Sequence, residues 1–428
     1  MKQPASRTSR LRIILAAALA GVIIGCVARA VKFCIAFISR IATSGFDADH
    51  SNWWLLILGV AAITVSALVV RKVVKVPLEH ATQRIKADLA DGTAPLPRRL
   101  MVAPVGVNAL TLGLGGSAGA EGPIAYSGAA IASRIASRLR LTHEQTLMFL
   151  ACGAGAGIAA IFKAPVGGMF FTIEVLAYPL APAALLLLTV MCLFAGLTAY
   201  AVGGFHPELA YVSPAPADLK WLLPIVALGI ICGLYSLYYK WCSQATVGML
   251  QRIATPWKRN LAAGLTVGLC LFLFPALYGE GYGVLQKVLD GHHEAITAGT
   301  FLGPLTGAGA LAAVLGGILL VKSFATYATN SGGGVAGEFA PTIFAGGMLG
   351  ALFAIGSSYI PGMESIPAGS LMIAAMAAVM AGTINAPLMA IFIVAEMTQS
   401  LTLLLPICIT SGISYAIANF EKFSKTKS

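Results

Sequence analysis

Long apolar runs alternate with short polar breaks along this whole chain. The runs fall roughly at 11–41, 53–74, 101–118, 124–137, 145–162, 166–178, 182–204, 220–242, 260–278, 300–328, 340–358, 369–383, 387–397 and 399–419. Several reach or exceed the roughly 20 residues with which a helix crosses hydrocarbon. Others are too short to span and are bounded by glycine or proline. Interrupted segments of this kind predict broken, tilted helices, which membranes tolerate only where the freed backbone lines a cavity or is covered by protein. The pattern therefore predicts an all-α polytopic membrane protein forming a single membrane domain over residues 1–428. The polar stretch 79–99 (EHATQRIKADLADGTAPLPRR) predicts a cytoplasmic loop with one surface helix, and 279–299, with GEGYG and His292-His293, a second loop.

Composition agrees with that reading and removes competitors. Of 428 residues 58% are hydrophobic, only 11% are charged and 47 are glycine; a soluble domain carries about 25% charged residues. The net charge of +11 sits mainly in tails and loops: Lys2, Arg7, Arg10 and Arg12 before the first run, Lys422, Lys425 and Lys427 at the end. By the positive-inside rule both termini face the cytoplasm and full crossings are even in number. The positive charge thus serves topology and contact with anionic lipid of the bilayer, and nucleic acid is not an expected partner. Residues 1–26 resemble a signal sequence, but the apolar stretch continues past Arg29 and Lys32 to about Ile41, which predicts a retained first helix. Eight scattered cysteines without a CxxC pair predict neither disulfides nor a metal site. No cofactor is expected, and the apolar segments offer no His and no spaced acidic triad for an intramembrane enzyme.

The chain also repeats itself. GSAGAEGP at 116–123 matches GVAGEFAP 218 positions later, and FKAPVGGMFFTIE at 162–174 matches INAPLMAIFIVAE 222 positions later. In both copies of the second motif a glutamate follows the proline by nine residues, Pro165 to Glu174 and Pro387 to Glu396. A first repeat over about 11–204 and a second over about 220–419 predict a transporter or channel with its site between the halves. If each half holds an odd number of crossings, the halves are inverted.

Each first motif places a small-residue turn before a segment opened by proline, Pro123 or Pro341, a residue suited to the first turn of a helix. A helix N-terminus offers free N–H donors and about half a positive charge, hence a seat for an anion. Two such ends would dehydrate a small anion without a full positive charge beside it, and still let it leave. The plainer reading is that the glycines only permit close helix packing. Gly113-Leu-Gly115-Gly-Ser-Ala118 also fits GxGxxA, but it lacks the strand and the acidic residue a dinucleotide site needs.

These motifs resemble the CLC family of chloride channels and anion/proton exchangers. GSAGAEGP resembles the family's GREGP, GEFAP its GIFAP, LACGAGAGIAAIFKAPVGGMFFTIEV the stretch after GREGP, and INAP with Glu396-Met397-Thr398 its late block. The resemblance implies two inverted repeats, a homodimer with one pore per subunit in the inner membrane, and Glu121 as a gating glutamate that occupies an anion site and takes a proton. It implies anion contacts from Gly119, Ala120, Gly122, Gly337, Phe339 and Ala340.

Departures qualify this. The family's GSGIP falls on Val73-Val74-Lys75-Val76-Pro77 without its serine, and the chain stops at Ser428, about where the pore tyrosine would lie. Lys75 is either a charge at the inner mouth or a cytoplasmic anchor. Proton-coupled members carry a second glutamate at the place of Val175; Glu174 matches the residue before it. Passive conduction is therefore the alternative to proton coupling, and a fluoride-exporting branch would show altered filter motifs. Glu338 stands where the family has an apolar residue, as a second titrating gate, a proton stop or a carboxylate paired with a cation. Lys163 replaces the usual asparagine, with Lys163–Glu338 or Lys163–Glu174 as expected pairs. Glu396 and Lys322 read as structural, and Tyr126 and Phe339 border the pore or pack.

Overall fold

The computed structural model describes residues 7–179, 181–213, 218–301, 306–360 and 366–420. Lys2, Lys422, Lys425, Lys427 and Ser428 lie outside the described residues. The described chain is helical, and eight of its helices are long and apolar enough to cross a membrane. In order they form α1 (Arg7–Ala42), α2 (Trp53–Val69), α3 (Ala81–Ala90), α4 (Ala103–Gly113), α5 (Glu121–Arg138) and α6 (His143–Phe162). Next come α7 (Pro165–Phe170), α8 (Pro182–Gly203), α9 (Leu222–Gln251), α10 (Pro256–Leu273), α11 (Tyr282–Leu289) and α12 (Glu294–Thr297). The last five are α13 (Ala308–Ser331), α14 (Phe339–Ser357), α15 (Ala368–Ile384), α16 (Pro387–Met397) and α17 (Leu404–Ala418).

Local chemistry explains the boundaries. Thr142 and Gln145 close a capping box at the start of α6. Proline opens α7, α8, α10 and α16, where a missing N–H leaves no intrahelical bond unmade. In the two large motifs the prolines sit two steps further in: α5 begins at Glu121 and α14 at Phe339, so Pro123 and Pro341 are third residues of their helices. The apolar run 220–242 understates α9, which continues to Gln251 because Cys242, Thr246 and Leu250 keep one face buried at helical spacing. The loop at 279–299 contains α11 and α12, with Leu285 and Val288 buried.

The two halves touch each other reciprocally. Glu396 accepts hydrogen bonds from the Val166 and Gly167 N–H groups at 3.2 and 2.9 Å, and Glu174 accepts from Leu388 and Met389 at 3.2 and 2.8 Å. Each glutamate thus caps the helix that opens the other half's motif. Phe170 and Phe392, also 222 positions apart, stack on one another at 4.9 Å. Close packing by small residues is repeated as well: α5 on α6 through Gly128 and Gly153, α14 on α15 through Gly346 and Gly350.

Candidate functional site

The site lies where the two first motifs meet. Gly119 and Gly337 exchange backbone hydrogen bonds, N–H to O at 3.0 and 2.6 Å, in an isolated antiparallel bridge. Threonines cross over to fix each loop: Thr111 Oγ1 accepts from Val335 N–H at 3.1 Å, and Thr329 Oγ1 from Ser117 N–H at 3.2 Å. The Asn108 amide donates to Gly119 O and Val335 O, tying both loops to α4. The N-termini of α5 and α14 are thereby clamped side by side.

Glu121 is the first residue of α5, yet its carboxylate reaches across to the other helix. Oε1 accepts the Ala340 N–H at 2.9 Å, in the first turn of α14. Oε2 is buried with no protein partner. A Cβ on Gly119 would lie 2.0 Å from Oε2, and one on Gly337 2.4 Å from it. These two glycines therefore clear the seat that the carboxylate fills, whereas glycines such as Gly128 and Gly153 only let helices approach. The Glu121 carboxylate thus sits at the N-terminus of α14, where free N–H groups and the helix dipole favour negative charge.

Gly119, Ala120, Gly122, Gly337, Phe339 and Ala340 converge here. Gly122, Gly337 and Phe339 also border a cavity of about 190 Å³, lined further by Val175, Glu338 and, from α3 and its entry, by residues between His80 and Lys86. The loop at 79–99 is thus a wall of the site as well as a surface element. Glu338 faces this cavity and accepts a hydrogen bond from Tyr327 Oη at 3.0 Å, with the His80 side chain near enough to interact with it. Tyr126 packs at α3 and donates to Asp88 at 3.2 Å. Phe339 is buried edge-on to Phe171, their centroids 5.9 Å apart.

Other candidates lie elsewhere. Lys75 is exposed, in a left-handed conformation at the end of the π-helical turn Val70–Val74 that prolongs α2, and does not line the cavity. Glu174 has both oxygens committed to α16, and only its neighbour Val175 lines the cavity. Lys163 forms neither expected pair. It donates to Gly204 O at 2.9 Å and His206 O at 2.7 Å, over the Tyr200 ring. Its place at the end of α6 demands φ near 55°, as does Asn385 at 63° in the second half. Asparagine adopts that region more readily than lysine, so the carbonyl contacts supply what lysine's backbone preference does not.

Two charges stand against the site: Lys322, which the sequence suggested only as a structural residue, and Glu280, to which it gave no role. Lys322 is fully buried on α13, donating to Ser117 Oγ at 3.0 Å with Nζ 4.8 Å from the Phe344 ring centroid. Glu280 sits on the loop before α11, whose Gly279 N–H donates to Gly116 O at 3.1 Å. Beyond it, Glu208 accepts from Lys32 at 2.6 Å and Arg29 at 2.8 Å. Burial alone would raise the Glu208 carboxyl, but these two cations outweigh it and hold Glu208 below the usual carboxylate range. Periodicity hid both groups: Lys322 is one charge in a long apolar helix, and Glu280 lay in an apparent loop.

Comparison with known proteins decides the family. The family model described as voltage gated chloride channel matches residues 64–419. The chain belongs to the CLC family. The ClC-type chloride channel ClcB of Salmonella typhi is 32% identical over 307 residues, 70% of this chain and 69% of that one. ClcB of Escherichia coli (strain SMS-3-5 / SECEC) is 30% identical over 310 residues, 71% and 69% of the two chains. In fold, a slow cyanobacterial Cl−/H+ antiporter superposes with a TM-score of 0.80 at 23% identity, covering 96% of this chain and 95% of its own. A CLC-type fluoride/proton antiporter gives 0.76 at 21%, covering 97% of each. This is a multi-pass membrane protein, a CLC anion channel or anion/proton antiporter.

Proposed function

We propose that this CLC protein carries chloride or a similar small anion across a bacterial inner membrane, with Glu121 as the gate. One pore per subunit of a homodimer, inverted halves and cytoplasmic termini complete the reading. The observation that carries it is the Glu121 carboxylate on the Ala340 N–H, its second oxygen unpaired between Gly119 and Gly337. The ionised carboxylate and an arriving anion compete for one set of donors. A proton removes the charge that the helix ends hold, and the side chain yields its seat.

Proton-coupled exchange needs a carboxylate facing the cavity, and Glu338 supports it there as a proton stop. Val175, apolar in the same wall, with Glu174 occupied as a cap, favours passive conduction. Chloride flux from proteoliposomes with internal pH recorded separates the two. Uphill proton movement driven by a chloride gradient is expected for exchange, and chloride flux without it for a channel. Glu121→Gln should abolish proton movement and flatten the pH dependence of chloride flux; unchanged behaviour would refute the gate.

A further inference from the structure

The segment 278–280 is fastened to the Glu121 loop at two points. Tyr278 Oη donates to Gly113 O at 2.6 Å, and the Gly279 N–H to Gly116 O at 3.1 Å. That fastening brings Glu280 over the start of α5, with its carboxylate close to the Ala120 amide. The next residue is Glu121. Each of the two carboxylates keeps one buried oxygen without a protein partner, Oε1 of Glu280 and Oε2 of Glu121, and their charges repel.

The surroundings supply little neutralisation. From α1, Lys32 interacts with Glu280 but is already bonded to Glu208, as is Arg29. Lys322 of α13 interacts with both carboxylates while donating to Ser117. Tyr282 of α11 interacts with both glutamates, and its buried hydroxyl is likewise unpaired. Two adjacent acids with free oxygens and shared cations are most stable when one proton serves both, and then they titrate as a pair.

We propose that Glu280 shares a proton with Glu121 and so sets the pH at which the gate leaves its seat. This rests on the reading of Glu121 as the gate. When Glu280 is ionised it favours the protonated, displaceable gate; without its charge, Glu121 releases its proton more readily. Glu280 acts through Glu121 and is a positioning residue.

Chloride efflux from proteoliposomes, measured between pH 4 and 8 with equal pH on both sides, tests this. Flux should rise as pH falls. Glu280→Gln should move the midpoint of that rise to lower pH by about one unit or more, a tenfold change in proton affinity. Glu280→Asp should restore the wild-type midpoint. If Glu121→Gln flattens the profile while Glu280→Gln leaves it in place or moves it upward, the shared proton is refuted and the gate stands. A profile that is flat in the wild type, or unaltered in Glu121→Gln, overturns the gate and this inference with it. Variants are compared after monodisperse elution in detergent; should Glu280→Gln misfold, Glu280→Asn is read by the same criterion.

Discussion

At the scale of the residue, Gly119 and Gly337 separate two uses of glycine that the sequence alone left open. The packing use is real, but it belongs to Gly128, Gly153, Gly346 and Gly350, whose added Cβ would meet backbone of a facing helix. The atoms nearest to an added Cβ on Gly119 are all those of the Glu121 carboxylate. Gly119→Ala is therefore a test of the seat and hardly one of packing. Its methyl would take the position of Oε2, closing the seat to carboxylate and anion alike. Chloride flux is expected to fall at least fivefold at pH 5 and pH 7 together, with thermal stability in detergent little changed. Flux near wild type at both values would mean that the anion passes elsewhere. Lys322 and Glu280 show why this site was only half legible: a lone charge within an apolar run or a loop carries no periodic signal, and the hydrogen-bond partner of Lys322, Ser117, is 205 positions away in sequence.

At the scale of the element, the repeat was visible in sequence as matching letters, but the roles of those letters were not. Glu174 and Glu396 recur nine residues after proline, which invites a shared function. The structure supplies a shared function of another kind: each takes two N–H groups at the start of the other half's helix. No spacing rule in one chain segment reveals a cap supplied from 214 to 230 positions away. A cap is worth about 1 kcal/mol, somewhat more when a carboxylate meets the helix dipole. Glu174→Ala and Glu396→Ala should each destabilise the protein by about 1–2 kcal/mol, seen as a lower thermal midpoint in detergent. Neither should change the ratio of proton to chloride movement. Lost proton movement at unchanged stability would return Glu174 to the proton path. The broken helices, by contrast, were legible, because proline and glycine end helices through local geometry that any sequence displays.

At the scale of the whole molecule, two chemically different groups of residues lie near the clamped loops. One is the cavity of about 190 Å³ with Glu338, His80 and Lys86. The other is the charged group of Arg29, Lys32, Glu208 and Glu280. If protons and anions both reach Glu121, Glu338 is a carboxylate that lines the cavity beside Gly122 and Gly337. Its alternative role is structural, as acceptor of the Tyr327 hydroxyl. Glu338→Gln discriminates, because an amide oxygen still accepts that hydrogen bond but cannot carry a proton. Under the exchanger reading, Glu338→Gln should lower chloride-driven proton movement at least tenfold while chloride flux stays within about threefold. Tyr327→Phe, which removes the hydroxyl and leaves the acid, should keep proton movement. Equal loss of both fluxes in Glu338→Gln would make Glu338 a structural member of the α14 start. Intact proton movement would leave Glu121 to exchange protons with the cavity by another route.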